Sequence, residues 1–215
     1  VDSGIQRLLL CDEATGQASV VSEGLGNYVE PDVASVYANI SQSYFNVDGT
    51  IAYVGSNWST PLHVSRIDAS GGVTEVLPPA QAPSGRQLAS QLIESRDGTR
   101  VQLWWARPDG EPRGTVLELH GGPNLVAVDA FSPSGQAWLD DGFTYCSLNY
   151  RGSVTFGRAF REGFWGVGSD REIEDVEAAV AWLQGQGLAE PKTTFITGAS
   201  YGGHMTLLSL GRLPH

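Results

Sequence analysis

The sequence predicts an α/β domain entered through an all-β segment. Three observations predict it: strand-like runs before residue 88, a stretch rich in Pro, Ala and Ser over residues 78–88, and strand–helix alternation after that. In the first part, the runs 7–11, 18–22, 50–54, 62–67 and 73–77 are separated by turn residues such as Ala14-Thr15-Gly16, Asp48-Gly49 and Ser70-Gly71-Gly72. Asp12, Gly16 and Val20 recur as Asp68, Gly72 and Val76, a shift of 56 residues. A blade repeat of roughly 40–50 residues with an insertion gives such a shift, and so do two ordinary hairpins with similar turns. The stretch 78–88, LPPAQAPSGRQ, reads as a linker.

In the second part, residues 89–94 and 101–106 flank Asp97-Gly98 and predict a hairpin. Residues 115–119 form a strand that runs into a glycine loop, 134–140 a short helix, and 143–148 a buried strand. A helix over 169–184 has a full set of signals. Ser169 and Glu172 make a capping box, and Asp170, Glu172, Glu174 and Asp175 favour the positive end of the helix dipole. Ile173, Val176, Val180 and Leu183 line one apolar face, and Gly185 and Gly187 supply the stop. This acidic run reads as helix-start chemistry and not as a metal site, because it has no nearby His or Cys. A strand over 193–197 and a helix over 201–210 follow.

The 215 residues suffice for one sizeable core or two small ones, and 41% hydrophobic residues is a globular composition. A net charge of -11 speaks against nucleic acid and against an acidic membrane face as partners. Solubility through self-repulsion explains the charge, and attraction of basic substrates is the other reading. Cys11 and Cys146 are the only cysteines, and without a CxxC pair no zinc or redox site is suggested. Cys146 is expected as a buried free thiol, a usage that suits a reducing, cytoplasmic compartment. No apolar run approaches the ~18–20 residues of a membrane span, and no signal peptide is visible. The N-x-S sequons at Asn39 and Asn57 are read as chance. The chain opens on Val1 in what reads as the middle of a domain, so its gene is expected to begin upstream. Assembly into a homo-oligomer is compatible with the sequence.

Gly198-Ala199-Ser200-Tyr201-Gly202-Gly203 matches G-x-S-x-G between a strand and an apolar helix. A nucleophilic serine needs a sharp turn that lifts its hydroxyl above the sheet edge, and side chains two positions either side would collide there. The Tyr201 amide, at a helix N-terminus, can then donate to a developing oxyanion. Alone, such a turn could equally serve packing or phosphate binding. Upstream, His120-Gly121-Gly122-Pro123 follows a strand where a second backbone donor belongs. The two motifs together point to acyl transfer through Ser200, with His120, Gly121, Gly198, Gly202 and Gly203 shaping the two loops.

Further motifs lie in series: Ser95-Arg96-Asp97-Gly98, Asn149-Tyr150-Arg151-Gly152-Ser153, Phe156-Gly157 with Phe160, Trp165-Gly166 and Glu174-Asp175-Val176. With them, residues 89–215 resemble the prolyl oligopeptidase family of serine peptidases. The HGGP form is similar to its acylaminoacyl-peptidase and dipeptidyl-aminopeptidase-like branch. The resemblance implies the N-terminal half of an α/β-hydrolase domain over 89–215, incomplete at its C-terminus. It implies the last blade or blades of a capping β-propeller over 1–88. Other branches hold the oxyanion with a tyrosine hydroxyl where this chain has His120, so the Gly122 amide is implied beside that of Tyr201. Short peptides, N-acylated or dipeptide-releasing, are the implied substrates, and no cofactor or metal is implied. Family members commonly carry Tyr where this chain has His204.

The triad runs Ser, Asp, His along such a chain, and only 15 residues follow Ser200. The acid and base are therefore expected beyond residue 215. The isolated chain is expected to be poorly folded or inactive, with an uncovered strand edge beside the elbow. His63, His120, His204 and His215 are not expected to act as the base, nor Asp175 as the acid. Arg151 suggests a substrate-carboxylate clamp or, by preference, a structural ion pair with Glu174 or Asp175. Phe164 and Trp165 suggest a specificity pocket or core packing. Ester hydrolysis at the same site and a non-catalytic scaffold are the rival functions.

Overall fold

The computed structural model describes residues 3–5, 7–22, 43–45, 48–68, 70–79 and 83–213. His215, the Asn39 sequon and residues 80–82 of the expected linker lie outside them. The chain forms two compact units, Val1–Gln87 with Val128–Ser132, and Leu88–Ala127 with Pro133–His215. The expected boundary at residue 88 is therefore incomplete, because residues 128–132 return to the first unit.

In the first unit, β1 (Leu8–Cys11) and β2 (Ala18–Ser22) pair as an antiparallel hairpin. β3 (Ser43–Phe45), β4 (Ile51–Asn57), β5 (Thr60–Ile67) and β6 (Val73–Leu77) form a four-stranded antiparallel sheet in chain order. The hairpin turns related by the 56-residue shift are closed alike. Asp12 Oδ1 accepts the N–H groups of Ala14 and Thr15 at 2.9 and 2.8 Å. Asp68 Oδ1 accepts those of Ser70 and Gly72 at 2.8 and 2.9 Å. A short carboxylate that satisfies the turn's own amides explains why Asp recurs at these positions. Residues 128–132 join this unit by polar contacts: Asp129 Oδ1 accepts the Trp58 N–H at 2.9 Å, and the Phe131 N–H donates to Ser56 Oγ at 2.9 Å.

The second unit contains β7 (Ala89–Glu94), β8 (Arg100–Ala106), β9 (Gly114–Leu119), α1 (Pro133–Asp140), β10 (Phe143–Asn149), α2 (Arg158–Glu162), α3 (Asp170–Gly185), β11 (Thr194–Gly198) and α4 (Tyr201–Arg212). The sheet order is β11-β9-β10-β8-β7, with β9 parallel to both β10 and β11, and β8 antiparallel to β7 and β10. The chain moves from β9 to β10 in one direction and from β10 past β9 to β11 in the other. Right-handed crossovers then put α1 and α3 on opposite faces. On the first face, Gly135 of α1 lies so close to Tyr145 that an added Cβ would sit 2.7 Å from the ring. On the second, Ile173, Val176, Ala179 and Leu183 share one core with Leu117, Leu119, Cys146, Leu148 and Met205. Burial pushes the Cys146 thiol upward, so it stays a protonated, inert thiol in that core.

The start of α3 corrects the expected capping box. Ser169 is left-handed (φ 67°) and its side chain caps no helix amide. Its hydroxyl lies 3.2 Å from the Tyr201 hydroxyl instead, and Glu172 is buried. The end of α3 is a Schellman motif: Leu188 N–H donates to Leu183 O, Gly187 N–H donates to Gln184 O, and Gly187 has φ 67°.

Leu117→Ala should cost about 2–5 kcal/mol in a denaturant titration, because its side chain is fully enclosed. Leu92→Ala, on edge strand β7 and 44% exposed, should change stability by about 0.5 kcal/mol or less.

Candidate active site

Three neighbouring parallel strands end side by side, with Gly198 of β11 and Leu148 of β10 both in register with Leu119 of β9. The carboxyl edge of such a sheet is where open α/β folds place their ligand sites. Here it delivers the turn at Ser200, the loop from His120 and the Tyr150-Arg151 segment to one place.

Ser200 is exposed and has φ 55° and ψ −121°, a conformation that non-glycine residues avoid. The neighbours that hold this strain have no side chains. A Cβ on Gly202 would overlap the carbonyl oxygen of Leu119, and one on Gly198 would lie 2.5 Å from Gly202 C and 2.6 Å from Leu119 O. The loop after β9 closes on the same turn, since a Cβ on Gly121 would lie 3.4 Å from Ala199 O and 3.6 Å from Ser200 Cβ. Gly122 is exposed at φ 122°, where a Cβ would meet Asn124 N at 2.6 Å, and its bond to Pro123 is cis. Gly203 is less constrained, with a would-be Cβ 3.3 Å from Gly198 O. No described residue accepts a hydrogen bond from the N–H of Tyr201 or Gly122. Two unoccupied amides on touching loops beside an exposed serine hydroxyl can stabilise a tetrahedral oxyanion.

The His120 imidazole has Nδ1 2.7 Å from Gly121 O and Nε2 2.8 Å from Ser153 Oγ. Burial lowers its pKa to about 4, against the opposing pull of the Gly121 carbonyl. The ring is therefore neutral at physiological pH and engaged at both nitrogens, a structural role. It stacks on Tyr150 (4.5 Å, 16°), which stacks on Tyr201 (6.4 Å, 25°). The Tyr150 hydroxyl donates to His120 O at 2.6 Å, and the Tyr201 hydroxyl donates to Glu172 Oε1 at 2.7 Å. Burial raises the Glu172 carboxyl and pushes Tyr201 up to about 12. His204 is exposed, and its Nε2 lies 3.5 Å from Ser169 Oγ. In the first unit, His63 Nδ1 lies 3.1 Å from Pro61 O.

Arg151 is not a substrate clamp. It is 2% exposed, and its guanidinium is held by Asp175 at 2.8–3.0 Å, by Asp97, by Ser95 Oγ at 3.2 Å and by Arg171 O at 2.8 Å. With those donors spent on its own chain, it ties β10 to α3 and to the β7–β8 turn. Breaking such a buried pair from one side typically costs about 3–5 kcal/mol. Asp175, fully buried in that pair, is equally committed. Phe164 is half-buried beside the site, since a Cβ on Gly152 would touch both Pro123 (3.0 Å) and Phe164 (3.2 Å). Trp165 packs edge-on to Phe164 and is 61% exposed. Among the described residues, no three His, Cys, Asp or Glu side chains gather as a metal site, and no helix is long and apolar enough to cross a membrane.

Tyr150 and Glu172 are the site residues missing from the sequence expectations. Glu172 had a signal: it sits four positions before Val176, on the helix side that Ile173, Val176 and Leu183 mark as inward.

Gly202→Ala should prevent the elbow from closing and lower stability by more than about 4 kcal/mol, whereas Gly211→Ala, with open space at its Cβ, should raise helix stability by up to about 1 kcal/mol. His120 titrates near 4 when folded and near 6.5 when unfolded. Between those values the unfolded state binds more protons, so stability falls as pH falls through that window. His120→Asn should lose this dependence, at most about 1.4 kcal/mol per pH unit, when thermal unfolding of the two proteins is compared from pH 7 to 4.

Comparison with known proteins follows the same lines. Residues 129–215 match the Prolyl oligopeptidase family. Dipeptidyl aminopeptidase BIII of Pseudoxanthomonas mexicana is 32% identical over 170 residues, which is 72% of this chain and 24% of that protein. Acylamino-acid-releasing enzyme 1 of Oryza sativa subsp. japonica is 30% identical over 106 residues, 49% of this chain and 14% of that protein. Among solved structures, the Pyrococcus horikoshii acylaminoacyl peptidase has a TM-score of 0.80 at 18% identity, covering 98% of this chain and 32% of that one. A puromycin-hydrolyzing peptidase of Mycobacterium tuberculosis has a TM-score of 0.78 at 24% identity, with the same coverages. The chain thus spans about a quarter or less of these curated relatives and about a third of these solved chains. The elbow at Ser200 falls within the matched segment, and the chain belongs to the prolyl oligopeptidase family.

Proposed function

We propose that this chain supplies the nucleophile and the oxyanion hole of a serine peptidase that cleaves short peptides by acyl transfer. The observation that carries this reading is the strained, exposed Ser200, with the glycine loop of β9 against it and two unoccupied amides alongside. Ser200 Oγ attacks the scissile carbonyl while a base takes its proton. The amides of Tyr201 and Gly122 hold the oxyanion, and collapse of the intermediate expels the amine and leaves an acyl-enzyme that water hydrolyses. No described histidine fits the base. His120 is locked in the oxyanion loop, and the nearest side-chain partner of His204 is Ser169. We assign the base and its orienting acid to a His and an Asp that follow residue 215 in the whole protein. The sheet β3–β6 and the hairpin β1–β2 serve as blades of a β-propeller that caps the domain and limits substrate size. Phe164 and Trp165 form a wall of the substrate site. The names of the relatives support peptide substrates with a modified or short N-terminal side.

In the full-length protein, a fluorophosphonate probe should label Ser200, and Ser200→Ala should lower kcat for a peptide amide by roughly 10⁶-fold. Failure of the full-length protein to label would overturn the reading. Cleavage of esters with no cleavage of matched amides would replace a peptidase with an esterase.

A further inference from the structure

The Tyr201 side chain is held by a group that stability alone does not explain. Its hydroxyl donates to Glu172 Oε1 at 2.7 Å. Glu172 is fully buried, and its Oε2 has no hydrogen-bond partner among the described residues. A half-satisfied carboxylate in a protein interior is costly, and such groups concentrate where they serve function. The Tyr201 ring lies against Tyr150, whose hydroxyl holds the carbonyl of His120 at 2.6 Å, one residue before the glycines of the other oxyanion loop. One column runs Glu172, Tyr201, Tyr150, His120; it contains the first expected oxyanion donor, Tyr201, and ends two residues before the second, Gly122.

We propose that Glu172 is a positioning residue for the oxyanion hole, acting through the Tyr201 phenol. Tyr201 is the first residue of α4, so its N–H has no helical hydrogen bond to fix its direction. With the phenol pinned at its tip by Glu172 and along its ring by Tyr150, the residue keeps one orientation and its amide keeps one aim. Released, the side chain can repack and turn the amide. A displacement of about 1 Å at a catalytic donor can cost roughly 10²-fold in rate. This inference rests on the proposed acyl-transfer reading.

The test uses the full-length protein and three variants: Tyr201→Phe, Glu172→Gln, and the double variant Tyr201→Phe/Glu172→Leu. Steady-state hydrolysis, fluorophosphonate labelling rate and thermal midpoint are read for each. Tyr201→Phe should lower kcat by roughly 10-fold or more with KM within about twofold, the pattern of an interaction made in the transition state. Glu172→Gln, whose amide oxygen still accepts the phenol, should retain most of the rate. The double variant removes the buried carboxylate together with the phenol, leaving Ser169 Oγ with His204 Nε2 at 3.5 Å, and should keep its thermal midpoint, yet remain as slow as Tyr201→Phe. A double variant that recovers the wild-type kcat, or a Tyr201→Phe enzyme that never lost it, would overturn the positioning role while Ser200 labelling left the acyl-transfer reading standing. A wild-type protein that does not label would overturn both.

Discussion

The contact on which the site depends is one between backbones. Gly202, one residue into α4, lies against the terminal carbonyl of β9 with no space for a single carbon between them. That approach forces β11 and α4 to meet at a sharp angle, and the angle holds Ser200 in a conformation it would otherwise leave. Gly198 and Gly121 extend the same constraint to the strand below and the loop beside it. The strain at Ser200 persists because the surrounding glycine contacts over-determine it.

Around this contact the molecule spends buried charge to hold segments and not to meet ligand. Arg151 joins the end of β10, the start of α3 and the β7–β8 turn through Asp175, Asp97, Ser95 and the Arg171 carbonyl. Asp175 also accepts the Arg151 backbone N–H at 2.8 Å, so side chain and main chain are fixed by one carboxylate. Such a pair adds little net stability over an apolar replacement but leaves few alternative packings. That suits a region whose task is to present loops at fixed positions.

Much of the second unit was legible in the residues. Its strands and long helices lie within one or two residues of their expected bounds, because period and glycine placement carry that information locally. The elbow and the HGGP loop were legible for the same reason: each needs glycine at a set offset from a chemical group. What escaped was set by long-range packing. Ser169 has the identity of a helix cap, yet Tyr201, 32 residues later, draws its hydroxyl away. Glu172 looked like helix-dipole chemistry until a phenol met it. The strand at 43–45 escaped because three residues are too few for a period, and β5 starts earlier than expected because Pro61 disguises its first turn of alternation. The return of residues 128–132 to the first unit left no mark in composition at all.

That return has a bearing on how the polypeptide can be divided. A cut at residue 88 follows the sequence's own punctuation, yet it would strand a five-residue ribbon from its carboxylate-to-amide latch at Trp58 and its hydroxyl partner at Ser56. The first unit is thus discontinuous in sequence, completed by a segment that lies between two stretches of the second. Joining residues 88–215 to a different N-terminal module would therefore require a new donor for the Asp129 carboxylate and a new acceptor for the Phe131 N–H.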